Sequence, residues 1–237
     1  MIARNHAQLR LAVDLAVLTV REDALQVLVI TRANEPFRGR RALPSGFLRG
    51  EEDIFDAAVR ELGEETGLDG RTLHLEQLPV HGKPLRDPRG RIVSVPYLAI
   101  MPDLPLPTAG SDASTAAWMP VEQVRGSLAF DHDEILAEAV ERARTRLEFT
   151  TLATAFCGPA FTIGDLRKVY EVVWGEPLDP RNFSRKVVNT KGFVAPNGER
   201  RIPEVGRPAA LYVRGEEKAL NPPILRSGAG GPVDEKQ

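Results

Sequence analysis

The chain has 237 residues, of which 42% are hydrophobic and 27% charged, with a formal net charge of −2 and one cysteine. This composition is typical of a soluble globular protein with one large or two small domains. It excludes a membrane-spanning helix, because no run of about 18 apolar residues occurs. The polar N-terminus lacks the apolar segment of a signal peptide, and Cys157 cannot form an intrachain disulfide, so we expect a cytoplasmic protein.

The charge is distributed unevenly along the chain. Residues 1–146 contain 18 basic and 22 acidic residues, whereas residues 180–215 contain eight basic and two acidic ones. This asymmetry predicts a metal-binding first part and a second part that contacts a polyanion.

Apolar runs predict the elements of the first part in chain order. Strands are expected at 11–20 and 25–31, joined as a hairpin, and at 73–80 and 91–101, with a last short strand around Trp118. Two loops are expected, at 33–45 and at the proline-rich stretch 102–110. A helix capped by Asp131 or Asp133 should then run to about residue 146, because apolar residues recur at helical spacing.

Residues 46–68 read GFLRGEEDIFDAAVRELGEETGL. Glu61, Glu64 and Glu65 have i, i+3, i+4 spacing, so a helix places them on one face, beside a separate apolar stripe. Grouped carboxylates are the oxygen ligands that hard divalent cations prefer. A solvated acidic surface helix is the alternative, but nine fixed positions in one window favour a functional site.

Those nine positions resemble the Nudix box, G-x5-E-x7-R-E-U-x-E-E-x-G-U with U aliphatic, without gap or substitution. The resemblance implies an α/β fold, the Nudix α/β/α sandwich around a mixed sheet, and chemistry on a nucleoside diphosphate linked to another group. It also implies that Glu61, Glu64 and Glu65 bind Mg²⁺ or Mn²⁺ and that Arg60 orients them. In an active enzyme these four residues would be catalytic. A simple helix salt bridge of Arg60 is an alternative that is compatible with this role.

The second part contains the signals of three short helices and a hairpin. Residues 147–156 predict the first helix, Thr162 caps a second that Gly175 closes, and Asp179 with Pro180 starts a third. A basic β-hairpin follows, and this order of elements describes a winged helix-turn-helix. The residues that we expect to contact DNA are Arg181, Asn182, Arg185, Lys186 and Lys191 in the third helix, and Arg200, Arg201 and Arg207 in the hairpin.

The inner side of the third helix is predicted from its apolar residues. Phe183 and Val187 are expected to face inward, with Val188 as a further candidate. A solvated basic helix on a small appendage is the alternative to DNA binding. The capped helix and the basic hairpin in this order favour DNA binding.

The two constellations together resemble the Nudix-related transcriptional regulators of NAD metabolism, the NrtR family, over about residues 11–214. The resemblance implies a homodimeric repressor of NAD biosynthesis and salvage genes that binds a palindromic double-stranded operator and is released by ADP-ribose. We expect a Nudix domain at 1–146, including a linker helix at 133–146. A winged helix-turn-helix domain should follow at 147–220, with a disordered tail at 221–237.

The ligand pocket is predicted less sharply than the metal site. Pro84 lies sixteen residues after Leu68, a spacing that resembles the ADP-ribose-specific Nudix branch, although Lys83 and Pro84 could simply shape a turn. Phe37 could equally be a core residue, and the arginines of the loop 83–91 could be merely solvated. The candidate ligand-binding residues are Arg32, Phe37, Gly46, Arg86 and Arg89.

Two positions depart from the enzymes of that branch. Arg41 stands where tryptophan is usual, and Ser45 stands where glycine is usual. These departures concern turnover more than ligand binding. Three functions therefore remain: a repressor that only senses ADP-ribose, an Mg²⁺-dependent ADP-ribose pyrophosphatase with an accessory domain, and a repressor that slowly hydrolyses its inducer.

Overall fold

The structure, a computed structural model, describes residues 8–67, 69–102, 113–202 and 207–226. Its contacts divide the chain into two compact units, Met1–Val140 and Glu141–Gln237. The division lies inside one helix, after Val140 rather than after residue 146. Leu68, and the predicted loop from residue 103 onward, fall outside the described residues.

Within the described residues, seven strands of the first unit form one mixed sheet in the order β3-β2-β1-β6-β5, with β4 on β1 and β7 on β2. β1 and β2 form the predicted antiparallel hairpin, whereas β1 and β6 are parallel. The predicted loop at 33–45 contains β3 and the start of β4. The strands are β1 (Arg10–Arg21), β2 (Ala24–Arg32), β3 (Arg41–Ala42), β4 (Ser45–Phe47), β5 (His74–Gln77), β6 (Ile92–Ile100) and β7 (Ala113–Pro120).

Helix α1 (Ile54–Thr66) carries the carboxylates of the 46–68 segment. The side chain of Asp53 caps its first turn, and Gly67 ends it with a left-handed φ of 72°, as a C-terminal glycine does. Ala57, Ala58 and Leu62 are buried against the sheet. Glu61 and Glu65 are buried on the same side of α1, and the Glu61 carboxylate lies against Gly46 of β4.

Two further helices follow β7: a single turn, α2 (Val121–Val124), and the long helix α3 (His132–Phe149). The buried positions of α3, such as Ile135, Ala139 and Val140, recur at the helical spacing expected from the sequence. No helix in the described part of the chain is long and apolar enough to cross a membrane.

The second unit has the predicted order of elements, although a 3-10 turn at Thr151–Phe156 replaces the first expected helix. Thr162 forms a capping box, Gly175 ends the next helix, and Asp179 with Pro180 starts the third. The elements are α4 (Ile163–Trp174), α5 (Pro180–Asn189) and the antiparallel strands β8 (Val194–Arg201) and β9 (Ala209–Arg214).

An aromatic core holds these short elements together. Tyr170 is fully buried, and its ring contacts Trp174 and Phe183 edge-on at centroid distances of 4.8 and 5.1 Å. Its hydroxyl donates to the carbonyl of Leu147 at 3.0 Å.

The single cysteine, Cys157, lies in the same unit. Burial raises the pKa of the Cys157 thiol to about 12, so the thiol stays protonated at neutral pH.

Residues 221–226 differ from the expected disordered tail because they pack against the second unit. Ile224 is buried, and its backbone N–H donates to the carbonyl of Glu148 at 2.9 Å. Arg226 donates to Glu148 at 3.0 Å and to Glu141 at 2.9 Å. An apolar side chain and an arginine therefore anchor this segment. The rest of the predicted tail, 227–237, lies outside the described residues.

Replacing Asp179 with alanine is expected to destabilise the second unit by about 1 kcal/mol. The Asp179 side chain accepts a hydrogen bond from the backbone N–H of Asn182 at 2.8 Å, and alanine leaves that N–H without its cap. Urea unfolding would be followed by tryptophan fluorescence in a Trp118→Phe background, where the signal comes from Trp174 of the second unit. Asp179→Asn, which retains a capping oxygen, should remain within a few tenths of a kcal/mol of the parent. An equal loss in both variants would contradict the capping role.

Candidate ligand pocket and candidate DNA interface

A cavity of about 350 Å³ lies in the first unit, where β1, β4, α1 and the loop before β6 meet. Both basic and acidic side chains line it, which suits a ligand with phosphates and hydroxyls. Its lining residues are Ala12, Asp14, Ile30, Arg32, Asn34, Glu35, Ser45, Gly46, Phe47, Leu48, Arg49, Glu61, Glu64, Glu65, Arg86, Asp87, Arg89, Ile92, Phe130 and His132.

The three box glutamates expected to bind a metal all line this cavity. Glu61 and Glu65 are buried, whereas the side chain of Glu64 is 38% exposed. Burial raises the pKa of Glu61, although the hydrogen bond from Arg60 opposes this shift. A cation that reaches this carboxylate would stabilise its charged form.

Arg60 lies among these carboxylates. Its Nε and Nη2 donate to the two oxygens of Glu52 at 2.9 and 2.7 Å, and its Nη1 donates to Glu61 and, at 3.5 Å, to Glu64. The bidentate hydrogen bond from Arg60 lowers the pKa of Glu52 to about 2, against the effect of burial. Arg60 thus forms a salt bridge with Glu52 and, through the same guanidinium, contacts Glu61 and Glu64. The two hydrogen bonds to Glu52 fix the orientation of the guanidinium.

Gly46 provides the room that this arrangement needs. A Cβ at this position would overlap the carboxylate of Glu61, so only glycine allows that carboxylate to lie against the backbone of β4. Ser45 lies in β4 opposite Asp14 and lines the cavity, so its Cβ is accommodated there. The other departure, Arg41, is exposed and does not line the cavity.

Arg86, expected to contact phosphate or ribose, is bound to two carboxylates of the protein itself. Its side chain is 4% exposed and donates to Asp131 at 2.7 Å and to Asp14 at 3.2 Å. Burial opposes its charge, but these two carboxylates raise the pKa of Arg86. Its guanidinium therefore holds the cavity wall together while lining the cavity, so a contact to phosphate or ribose stays a prediction.

Arg32 and Arg89 contact aromatic rings at the mouth of the cavity. The guanidinium of Arg89 lies 5.1 Å from the ring centre of Phe47 and 5.3 Å from that of Phe130, and Arg32 lies 4.7 Å from Phe130. Asp87 fixes Arg89 through hydrogen bonds of 2.6 to 3.2 Å. The result is a flat cationic and aromatic surface, which suits a base, a ribose or a phosphate.

Phe37 does not line the cavity. It packs with the buried cluster of Ile30, Ala42 and Ala129, and its ring contacts that of Phe130 at a centroid distance of 4.8 Å. Of the two roles considered from the sequence, Phe37 therefore has the position of a core residue. Two of its neighbours, Ile30 and Phe130, line the cavity.

Sequence reasoning missed several residues of the cavity, among them Asp14, Arg49, Phe130 and His132. Asp14 had a readable signal, because it is the one charged residue within the apolar run LAVDLAVLTV. Arg49 lies within the 46–68 segment but is not one of its nine defining positions, so nothing singled it out. Phe130 and His132 are far from that segment in the sequence and reach the cavity only through the fold.

His132 is buried, and its hydrogen-bond partners indicate which ring nitrogen carries the proton. Its Nδ1 accepts a hydrogen bond from the backbone N–H of Leu43 at 2.9 Å, so the neutral ring carries its proton on Nε2, 3.5 Å from Asp14. Burial lowers the pKa of His132 from its usual 6.5, although the charge of Asp14 opposes this.

The free energy of unfolding is therefore expected to fall as the pH decreases below 6.5. In that range the unfolded chain binds a proton at His132 that the folded chain does not, so protonation favours unfolding. His132→Gln, which can replace both hydrogen bonds, should show a smaller decrease between pH 7.5 and 5.5 in urea titrations. Identical pH dependence of the two proteins would contradict a neutral buried His132.

The donor set fits a hard cation in chemistry, since all three glutamates supply oxygen and Gly46 leaves the space. The side chains, however, are paired with arginines: Arg60 with Glu61, and Arg49 with Glu64 at 3.1 Å. Among the described residues, no group of three carboxylate, imidazole or thiol side chains is gathered to hold a metal ion. A bound metal ion would therefore have to replace the arginines as the partner of these carboxylates.

In the second unit, one face of α5 is exposed and basic. Arg181, Asn182, Arg185 and Lys186 are all exposed, whereas Phe183 and Val187 are buried as predicted. Val188, the further candidate for the inner face, is 52% exposed and belongs to the outer side. The Nη2 of Arg185 donates to the side-chain oxygen of Asn182 at 3.2 Å, which holds both polar ends on one face.

The other predicted DNA contacts are also exposed. Lys191 follows α5, Arg200 and Arg201 lie in β8, and Arg207 precedes β9. Arg201 donates to Asp165 of α4 at 2.8 Å, so it fixes the hairpin on the helices as well as presenting charge.

Comparison with known proteins assigns both halves. The NUDIX domain model matches residues 9–139, and the NrtR DNA-binding winged helix domain model matches residues 154–213. A curated relative, the ADPR responsive transcriptional repressor NtrR of Acinetobacter baylyi, is 34% identical over 85% of this chain and 80% of its own. The chain belongs to the NrtR family.

Solved NrtR structures agree with this assignment. Shewanella oneidensis NrtR in complex with a 27mer DNA is 30% identical, covers 86% of this chain and 93% of its own, and superposes with a TM-score of 0.75. The Nudix domain of the same protein, complexed with ADP ribose, is 32% identical over 60% of this chain and 93% of its own, with a TM-score of 0.53. The chain is thus a homologue of ADP-ribose-responsive NrtR repressors, with a Nudix domain and a DNA-binding winged helix.

Proposed function

We propose that this NrtR protein represses genes of NAD biosynthesis or salvage and is released from its operator when its Nudix domain binds ADP-ribose. The observation that carries the proposal is α3, whose first residue, His132, lines the cavity and whose last turns belong to the winged-helix unit. A ligand that alters the start of this helix acts on an element that both units share.

The cavity supports ADP-ribose as the effector. Arg32, Arg49 and Arg89 supply positive charge for a pyrophosphate, and the rings of Phe47 and Phe130 supply flat apolar surface for a base or sugar. A volume of about 350 Å³ lies within the usual range of small-molecule sites. The glutamates can accept hydrogen bonds from ribose hydroxyls or bind a metal.

Mg²⁺ or Mn²⁺ is the metal that we propose for Glu61, Glu64 and Glu65, with Arg60 as the orienting residue. When bound, such an ion neutralises a pyrophosphate and lowers the pKa of a bound water. The chain itself contributes oxygen ligands, the space at Gly46, and the Arg60 contacts that hold the glutamates near one another.

Hydrolysis of ADP-ribose is a second candidate function, either as the main activity or as slow removal of the inducer. It is favoured by the position of all three box glutamates on the same cavity. It predicts AMP and ribose 5-phosphate as products in the presence of Mg²⁺, lost in Glu64→Gln. Absence of product over long incubation at high protein concentration would dismiss it.

The route from ligand to helix that we propose runs through buried charges. Arg86 lines the cavity and donates to Asp131, the residue directly before α3. His81 joins Asp131 at 3.2 Å to Glu138, two turns into the helix, at 3.3 Å. A ligand phosphate that attracts Arg86 would compete with Asp131 and so bear on the first turns of α3.

We further propose a homodimer on a palindromic double-stranded operator. The exposed face of one α5 helix is short, and specific recognition of DNA usually buries more surface than one such module provides. A dimer places two α5 helices in successive major grooves about one helical turn apart.

The test is operator binding by fluorescence anisotropy, with duplexes from promoters of NAD-synthesis genes and the full chain. Tight binding that weakens steeply with salt and is reversed by ADP-ribose, but not by AMP, is expected, with Mg²⁺ present or absent. Failure to bind any such promoter at moderate salt would overturn the repressor. Binding that ADP-ribose leaves unchanged would overturn the effector.

A further inference from the structure

Val188 is an apolar residue in the last turn of α5, on its exposed and otherwise polar face. It is 52% exposed although valine is a poor choice for an exposed helix position, since β-branched residues lose side-chain freedom there. It lies seven residues after Arg181 and three after Arg185, so the three side chains share one face of α5. Phe183 and Val187 occupy the opposite, buried face.

Among the described residues, Val188 belongs neither to the buried core nor to the lining of the cavity beside the packed segment 221–226. The cavity between α5 and the tail is lined by other residues of the helix, Arg185, Lys186, Asn189 and Thr190, together with residues 222–224. An apolar side chain on the face that carries Arg181 and Arg185 therefore points where DNA is expected, and not at the fold.

The major groove offers one apolar group to such a side chain. Each thymine carries a C5-methyl group there, and contact with small apolar side chains is a known way to read it. Arginine and asparagine on the same face read hydrogen-bonding edges, so they cannot recognise this methyl group. Val188 supplies the apolar contact that the other exposed residues of α5 lack.

We propose that Val188 reads the C5-methyl group of one thymine in each operator half-site, an inference that rests on the proposed DNA-binding function. The geometry also places that thymine. Along the helix, Val188 is about 10 Å from Arg181 and about 4.5 Å from Arg185. The thymine should therefore lie closer to the base read by Arg185 than to that read by Arg181.

The test uses duplexes selected from random DNA by the full chain, in which single thymines are replaced by deoxyuridine. This change removes only the C5-methyl group. We expect one position per half-site where deoxyuridine weakens binding by about fourfold, the effect of burying one methyl group. In Val188→Ala, which loses this contact in both half-sites, affinity for the thymine duplex should fall by about 16-fold, the square of the single-site effect, and that position should no longer distinguish the two bases.

Val80→Ala is the matched control, because Val80 is 53% exposed and lies in the other unit. It should retain the thymine preference of the parent. Val188 is exposed, so its replacement by alanine leaves the core of the unit intact. If the parent binds selected DNA but no thymine loses its effect in Val188→Ala, the inference is overturned while DNA binding stands. If the parent selects no DNA, the proposed function fails and this inference with it.

Discussion

Operator affinity is expected to fall by about 1–3 kcal/mol per half-site when Arg185 is replaced by alanine, with relaxed preference at the base pair that it contacts. Arg185 is exposed on α5 and held by Asn182, so its guanidinium is oriented before DNA arrives. A bidentate contact to guanine is the commonest specific use of such an arginine. Lys186→Ala should instead weaken binding to all sequences alike and reduce the salt slope by about one.

These two variants are best measured side by side by anisotropy at several salt concentrations, on the selected duplex and on single-base variants of it. Arg125→Ala is a suitable control, because Arg125 is exposed in the first unit and pairs across one helix turn with the exposed Glu122, at 2.9 Å. A control loss as large as that of Arg185→Ala would indicate a general charge effect. Equal losses on all base variants would assign Arg185 to the phosphates.

Removal of the buried charge of Arg86 is expected to destabilise the first unit by about 3–5 kcal/mol. Arg86→Met retains most of the side-chain volume but leaves Asp14 and Asp131, whose side chains are only 4% and 10% exposed, without the guanidinium between them and with only neutral hydrogen-bond partners or a histidine nearby. Buried carboxylates without a partner are among the largest single costs in a folded protein. Urea unfolding of the full chain, followed by Trp118 in a Trp174→Phe background, would measure the change.

Arg125→Met is the matched control, since it removes an arginine from an exposed pair that should contribute no more than about 0.5 kcal/mol. If Arg86→Met were no more destabilising than this control, Arg86 would not be the tie between Asp14 and Asp131. Any surviving ADP-ribose response in Arg86→Met would also show that coupling takes a route other than Asp131.

Local elements were predictable because their causes are local. The caps at Thr162 and Asp179, the glycine ends at Gly67 and Gly175, and the apolar spacing of α3 depend on residues within a few positions of one another. The end of α3 and the packed segment 221–226 were not, because buried partners far along the chain decide them. Ile224 and Arg226 find the helix at Glu148 and Glu141.

The candidate site divides in the same way. The box glutamates, Arg60 and Gly46 were readable, since their fixed spacing on one helix and one strand is itself the signal. The positions of Arg86 and Phe37 were not, because the same residue types serve equally well as ligand contacts or as supports. Their partners, Asp14, Asp131 and Phe130, are up to about a hundred residues away in the sequence.

The sequence by itself determined the carboxylate helix, the capped basic helix with its hairpin, and the order in which they occur, because spacing and capping act within single elements. Only the tertiary structure decided which charges are available to a ligand. Folding brings β1, the loop at Arg86 and the start of α3 together, so that Arg86 is bound by Asp14 and Asp131 while Arg32 and Arg89 lie against the ring of Phe130. It likewise turned Val188 outward, because Phe183 and Val187 already fill the inner face of α5.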